Sequence, residues 1–366
     1  MSSNKGSNEK SKVFSGNILF FHAFDIGEDI DLAEIKRRSF LPIRPYVLSS
    51  YFKNYHIPLS FQIPGEGYET ASEDSDCISS KVHHFGVISF CYKVQFEATF
   101  DDLEKKLETL DEEYRLKSEL DAKRVYEKIL RTIRAPHFYH LKTSYVIIQV
   151  DPHEAKLAPE ELISNYGETI AKLLRFEVKN LSSYQKEDIL ESRTGYYGED
   201  IVIIDSQASF VYDAEYFETL EFFETANIQK LELQYFDRVL FDKLNYFYNQ
   251  GSYQMIPLRA YIPLVGRWLD LPVSQLAKLR VDISVITERL ENSISMAGEP
   301  FYSNLYAILV RRLSIPEWKD SINKKLDIIH DLYTVYQDHL DAVHEEVLTF
   351  VIIILIALEA FGTIMK

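Results

Sequence analysis

The sequence predicts an α+β fold: an N-terminal mixed β-sheet and helix domain, a helical C-terminal half, and a long coiled-coil helix running into a transmembrane tail. Three observations predict it. Segments rich in β-formers lie before residue 213 and helical periodicity dominates after it, a segregation that argues against an alternating doubly wound sheet. From Ile322 to Val347 apolar side chains recur at alternating spacings of four and three. From Thr349 to Met365 the one charged side chain is Glu359.

With 366 residues, 46% of them hydrophobic, the chain is globular and large enough for one large or two ordinary domains. A formal charge of −16 works against direct nucleic-acid binding, whose affinity comes from Lys and Arg neutralising phosphates. It equally disfavours a broad anionic lipid surface. Two cysteines, Cys77 and Cys91, suit a reducing compartment and read as idle or buried thiols rather than a disulfide.

Residues 1–14 form a polar, disordered N-terminus with neither an apolar signal core nor an Arg-rich amphipathic pattern. An α+β domain covers residues 15–313. It opens with a buried strand, Asn17 to Asp25, and a short helix, Leu32 to Arg38, capped by Asp31. One or two short strands fit Tyr46 to Ile63, and Pro64 to Ser80 is an acidic, solvated loop insertion. Val82 to Phe96 carries the strongest strand signal, its β-formers bracketing Gly86 as either a hairpin or one long edge. Thr99 and Asp102 then cap a charged helix extending to Arg134. Ser144 to Val150 is a buried strand, and Pro159 opens a helix to Arg175. Ile201 to Tyr212 gives one strand or two, bent at Ser206 and Gln207. Helices follow over Tyr216 to Tyr248, Val273 to Ser295 and Phe301 to Arg312.

Residues 314–348 form the amphipathic helix, with Ser314 as cap and Pro316 in its first turn. Its seam is Ile322, Leu326, Ile329, Tyr333, Tyr336, Leu340, Val343 and Val347, and it is about 50 Å long. The seam serves either self-association as a coiled coil or packing on the chain's own domain. Residues 349–365 are the transmembrane helix, marked by Phe350, Ile354, Leu358 and Glu359. Its ten Leu, Ile, Val and Phe side chains favour insertion by about 3–6 kcal/mol, and a carboxylate near the middle costs roughly 2.5–3.5 kcal/mol. The balance is favourable but narrow. The bland alternative is a core helix or an oligomer seam in a soluble protein. Tail-anchored topology follows from the membrane reading, with the main domain facing the cytoplasm.

No phosphate-loop, dinucleotide or zinc-protease motif occurs, and neither a metal nor a cofactor is expected. His83 and His84 are adjacent in a strand and point to opposite faces, while His330, His339 and His344 do not align as ligands. The acidic group Asp25, Glu28 and Asp29, or the Asp205–Ser206 turn, would serve an enzyme or nucleotide-binding domain of unrecognised type. Tyr196 and Tyr197, between Gly195 and Gly198, form either an aromatic binding loop or a packed turn.

The segments AFDIGEDIDLAEI, HHFGVISF, IDSQASFVYDAE and KLDIIHDLYTVYQDHLDAVHEEVLTFVIIILIALEAF resemble the YagE-type family, which includes the proteins named "required for meiotic nuclear division". The last segment is the most specific, because members end in such a helix followed by an apolar tail with an acidic residue. The loop at Pro64 to Ser80 and the helix at Asp101 to Arg134 look longer than in the family, and Val347-Leu348-Thr349 replaces a basic-aromatic pair. The resemblance implies no catalytic residue. It implies a membrane-anchored scaffold or tethering protein that works through a protein or ribonucleoprotein partner; the coiled-coil seam adds self-association into an oligomer, and the C-terminal helix adds contact with the lipid bilayer.

Overall fold

The fold is built outward from its first strand. β1 (Phe14–Asp25) carries Phe, Leu and Ile at both parities and is flanked antiparallel by β5 (Val87–Ala98) and β7 (Lys142–Val150). A strand apolar at both parities needs cover on both faces. The computed structural model describes residues 12–46, 57–63, 76–138, 141–250, 281, 283 and 300–364.

Beyond β5 lie β4 (Cys77–Val82) and the short β3 (Leu59–Ser60), both antiparallel to their neighbours. On the other flank β10 (Ala208–Tyr212) runs parallel to β7, and β9 (Ile201–Ile204) and β8 (Arg193–Thr194) follow antiparallel. The mixed sheet has the order β3-β4-β5-β1-β7-β10-β9-β8. A separate ladder joins β2 (Asp29–Ile30) to β6 (Ile133–Arg134).

The helices start where capping chemistry places them. In α1 (Leu32–Arg38), Asp31 Oδ1 accepts from the Glu34 N–H at 2.9 Å. In α2 (Phe100–Ile129), Thr99 Oγ1 accepts from the Asp102 N–H at 3.2 Å. After the short α3 (Pro152–Ala155), Pro159 opens α4 (Pro159–Arg175). Then come α5 (Ser183–Glu191), α6 (Phe217–Gln250), α7 (Pro300–Arg312) and α8 (Ile315–Ile364).

One sheet face packs Ile18, Phe20, Phe90, Ile148 and Phe210 against Leu103, Leu107 and Val125 of α2 and Leu162 and Ile170 of α4. Each fully buried side chain of this size contributes about 1.5–3 kcal/mol. Ring stacking adds to this where Phe14 meets Phe100 at 4.0 Å and Phe20 meets Tyr114 at 4.9 Å. The other face takes α6: Ala23 and Val87 pack with Ile228 and Leu231, and Tyr145 stacks on Phe223. The chain divides into two compact units, Met1–Glu232 with Asn292–Pro316, and Leu233–Glu291 with Glu317–Lys366.

The mixed sheet, the helical second half and the terminal apolar helix stand as the sequence predicts. Several details differ. Phe14 is buried and begins β1, so the polar N-terminus is shorter than 14 residues. The loop expected to reach Ser80 ends earlier, because Cys77–Ser80 pair with β5. The charged helix stops at Ile129, five residues before Arg134: Thr132 Oγ1 donates to the Ile129 carbonyl at 2.7 Å in a tight turn, and Ile133–Arg134 join the β2 ladder. Ser314 does not cap α8; its φ of 55° is left-handed and its N–H closes the end of α7 on the Arg311 carbonyl. Cys77 and Cys91 are buried and not joined in a disulfide. Burial pushes the Cys77 thiol up to about 12 and Cys91 well above its ordinary value, so neither is a reactive thiolate. Residues 47–56 and 64–75, and all of the expected helix at Val273 to Ser295 except the helical Val281 and Ile283, lie outside the described residues.

Candidate functional site

α8 is one unbroken helix, 50 residues long, in which two different surfaces follow each other. Its first part is anchored in the chain: Ser321 Oγ donates to Asp237 Oδ1 at 2.6 Å, the Lys325 ammonium pairs with the same carboxylate, and it lies over the Phe241 ring. The seam residues Ile322, Leu326 and Ile329 are 2, 6 and 1% exposed. Three positions of the seam are thus filled within the single chain. Val343 and Val347 are half-buried, and the side chains of Tyr333, Tyr336 and Leu340 lie outside the described set.

From Asp341 to Ile364 the surface changes. This stretch of 24 residues is long and apolar enough to cross a membrane, and none of its apolar window is buried. At 1.5 Å per residue it measures about 36 Å, against a hydrocarbon core of about 30 Å. Phe350, Ile354 and Leu358 are all exposed, as is Glu359 one residue further on. The helix satisfies its own backbone hydrogen bonds, the requirement for entering lipid. Thr349 and Thr363 return their hydroxyls to the carbonyls of Glu345 and Glu359, so these polar side chains are satisfied too.

The acidic candidates are occupied by internal partners. Asp25 is buried and its Oδ2 accepts from His137 Nε2 at 2.8 Å, a bond that raises the His137 imidazole above its ordinary value. Glu28 and Asp29 pair with Arg134 at 3.4 and 3.9 Å. Glu232, buried close to Asp25, is held far above the usual carboxylate range by burial and by that neighbouring charge. Asp205 pairs with Arg175 Nε at 2.5 Å and faces Arg312 Nη1 at 3.9 Å. Burial still pushes its carboxyl up. Arg312 also donates to Ser192 Oγ and Asp188 Oδ2, both at 2.7 Å, and so ties α7 to α5. Ser206 is half-buried in the β9–β10 turn with no hydrogen bond to a base described there. Sequence proximity of Asp205 and Ser206 therefore yields a structural clamp.

One buried network escapes sequence reading altogether. Lys81 of β4 and Ser89 of β5 face each other in register on the α6 side of the sheet. Between them, Glu224 of α6 accepts from Lys81 Nζ and from Ser89 Oγ, each at 2.6 Å. His83 Nε2 lies 3.2 Å from Ser89 Oγ, and Tyr46 OH joins Lys81 to Glu221 at 3.2 and 3.0 Å. Burial alone would raise the Glu224 carboxyl; Lys81 and the two hydrogen bonds bring it below its usual value. Burial lowers His83 to about 3, so it is neutral. Gly86 makes the supporting turn, with φ of 99° and no room for a Cβ beside the Gly27 carbonyl. A cavity of about 230 Å³ is lined by Pro159, Glu160, Ile163, Ser164, Arg193 and Ile201, none of them an acidic candidate.

Among the described residues no three His, Cys, Asp or Glu side chains form a metal-sized group. The Tyr196–Tyr197 loop is a built turn: both N–H groups donate to Asp200 Oδ1, at 2.9 and 2.8 Å. It nevertheless leaves both rings exposed, with Tyr196 edge-on to Phe301 at 5.5 Å. The turn and the aromatic surface coexist.

A family model described as "Uncharacterized protein MJ0711, N-terminal domain" matches residues 15–218, from the first strand to the start of α6. The uncharacterised protein MJ0711 of Methanocaldococcus jannaschii is 25% identical over 307 residues, covering 81% of this chain and 85% of its own. No solved structure matches.

Proposed function

We propose that this chain, which belongs to the family of the MJ0711 N-terminal domain, is a membrane-anchored scaffold or tethering protein of the YagE type. The observation that carries the reading is the exposed apolar helix Asp341–Ile364, continuous with a helix that is fixed in the fold at its other end. In water, such a surface is an aggregation liability; in a bilayer it is an anchor. The main domain faces the cytoplasm, and self-association and a protein or ribonucleoprotein partner complete the scaffold. The exposed Tyr196 and Tyr197 rings, with the half-buried Phe301 edge-on to Tyr196, suit a protein contact, since aromatic side chains dominate interface energetics. The competing enzyme reading is weakened because its two acidic sites are held internally, Asp25 by a hydrogen bond from His137 and Asp205 by an ion pair with Arg175.

A soluble fluorescent reporter fused to residues 341–364 tests the anchor apart from the rest of the chain. The expected result is a reporter confined to membranes. A reporter that stays diffuse contradicts the anchor.

A further inference from the structure

The burial of Ile322, Leu326 and Ile329 removes them from any contact with another molecule, yet α8 carries a second apolar stripe. Ile328, Leu332 and Val335 repeat at spacings of four and three, and are 49, 41 and 63% exposed. They lie about 100° round the helix from the buried seam. Three aliphatic side chains at that spacing, left in solvent beside a filled seam, are the pattern of an unpartnered helix–helix contact.

The course of α8 indicates the occupant. The helix runs unbroken from the stripe into the apolar segment ending at Ile364. Two copies anchored in one bilayer by the same segment stand parallel and present the stripe at the same height. That is the register a self-complementary parallel pair requires, and shared anchorage raises the effective concentration of each copy for the other. The flanking charges permit it. Asp331 and Asp338 border the stripe, and in a parallel pair they face positions 336 and 343, which are Tyr and Val and uncharged. Continued at the same spacing, the stripe crosses a polar or small interval at positions 339, 342, 346 and 349. It resumes at Ile353, Ile356, Ala360 and Thr363, where the last two small side chains allow close approach in lipid.

We propose that a second copy of this chain docks, parallel and in register, on the Ile328–Leu332–Val335 stripe of α8, with the contact resuming in the bilayer. The proposal rests on the membrane-anchor reading and names the surface through which anchored copies pair.

Single-cysteine variants of the full chain in membranes test it, because both native thiols are buried. Leu332→Cys and Val335→Cys should be joined between copies by a short bismaleimide. Asn323→Cys and His330→Cys, exposed on the far side of the helix, should be joined about tenfold less. The double variant Leu332→Asp, Val335→Asp should lower co-capture of differently tagged copies about tenfold and leave the chain in the membrane pellet. Equal yields at all four positions overturn the proposal. So does the absence of dimers while the chain remains in the pellet, an outcome in which the anchor reading survives. A chain missing from the pellet sinks the anchor reading and this proposal together.

Discussion

Replacing Ile354 with lysine is expected to abolish insertion of the C-terminal helix. The ten aliphatic and Phe side chains of the tail favour transfer by about 3–6 kcal/mol, and Glu359 already removes roughly 2.5–3.5 kcal/mol of that. A second charge near the helix centre costs a similar amount again and turns the balance unfavourable. Glu359→Leu works in the opposite direction and widens the margin by about 3 kcal/mol. Both variants can be read with a glycosylation acceptor placed after residue 366 and microsomes added during synthesis. Ile354→Lys should lose the glycosylated form, and Glu359→Leu should keep or increase it. Undiminished glycosylation of Ile354→Lys would mean that the segment enters the lumen by another route.

The second large effect lies in the buried network. Lys81→Ala leaves Glu224 as an uncompensated carboxylate beneath the sheet, with Ser89 as a remaining donor. Breaking one partner of a buried pair costs about 3–5 kcal/mol. For a domain of this size that lowers the melting temperature by roughly 10 °C. Replacing both partners, Lys81→Met with Glu224→Leu, removes the buried charges together and should restore most of the stability or exceed it. Thermal unfolding of the full chain in detergent, followed by circular dichroism, separates the cases. If the single variant melts within a degree or two of the parent, the pair is solvated and the packing of α6 on β4 and β5 is looser than its 2.6 Å contacts state.

These two predictions draw on parts of the molecule that the sequence reveals unequally. β1, α1, α2 and α4 were legible because local chemistry marks them. Asp31 and Thr99 cap, Pro159 opens a first turn, and β1 is rich in Phe, Leu and Ile at both parities. α5 was not, because Ile189 is its one buried side chain and no apolar period develops. The two-residue β8 is too short to show a strand period, and β6 depends on a partner distant in the chain, Asp29–Ile30. The Lys81–Glu224 pair was illegible for the same reason. A lysine in a strand and a glutamate on a helix read as solvated until the β4–β5 register and the docking of α6 are known. Asp25 and Asp205 were visible as acids, but their engagement by His137 and Arg175 was not, since each partner lies elsewhere in the chain. The four-three spacing of α8 showed that an apolar seam exists; it could not show that Ile322, Leu326 and Ile329 are filled within the chain while Ile328, Leu332 and Val335 stay open.

The central claim is that the apolar end of α8 mounts the protein in a membrane. Alkaline carbonate extraction of the full chain, beside a truncation ending at Glu346, tests it most directly. The account predicts that the full chain stays in the pellet and the truncation is soluble. If both are released, and the truncation merely falls into smaller species, the apolar helix is the core of a soluble oligomer and the anchor is contradicted.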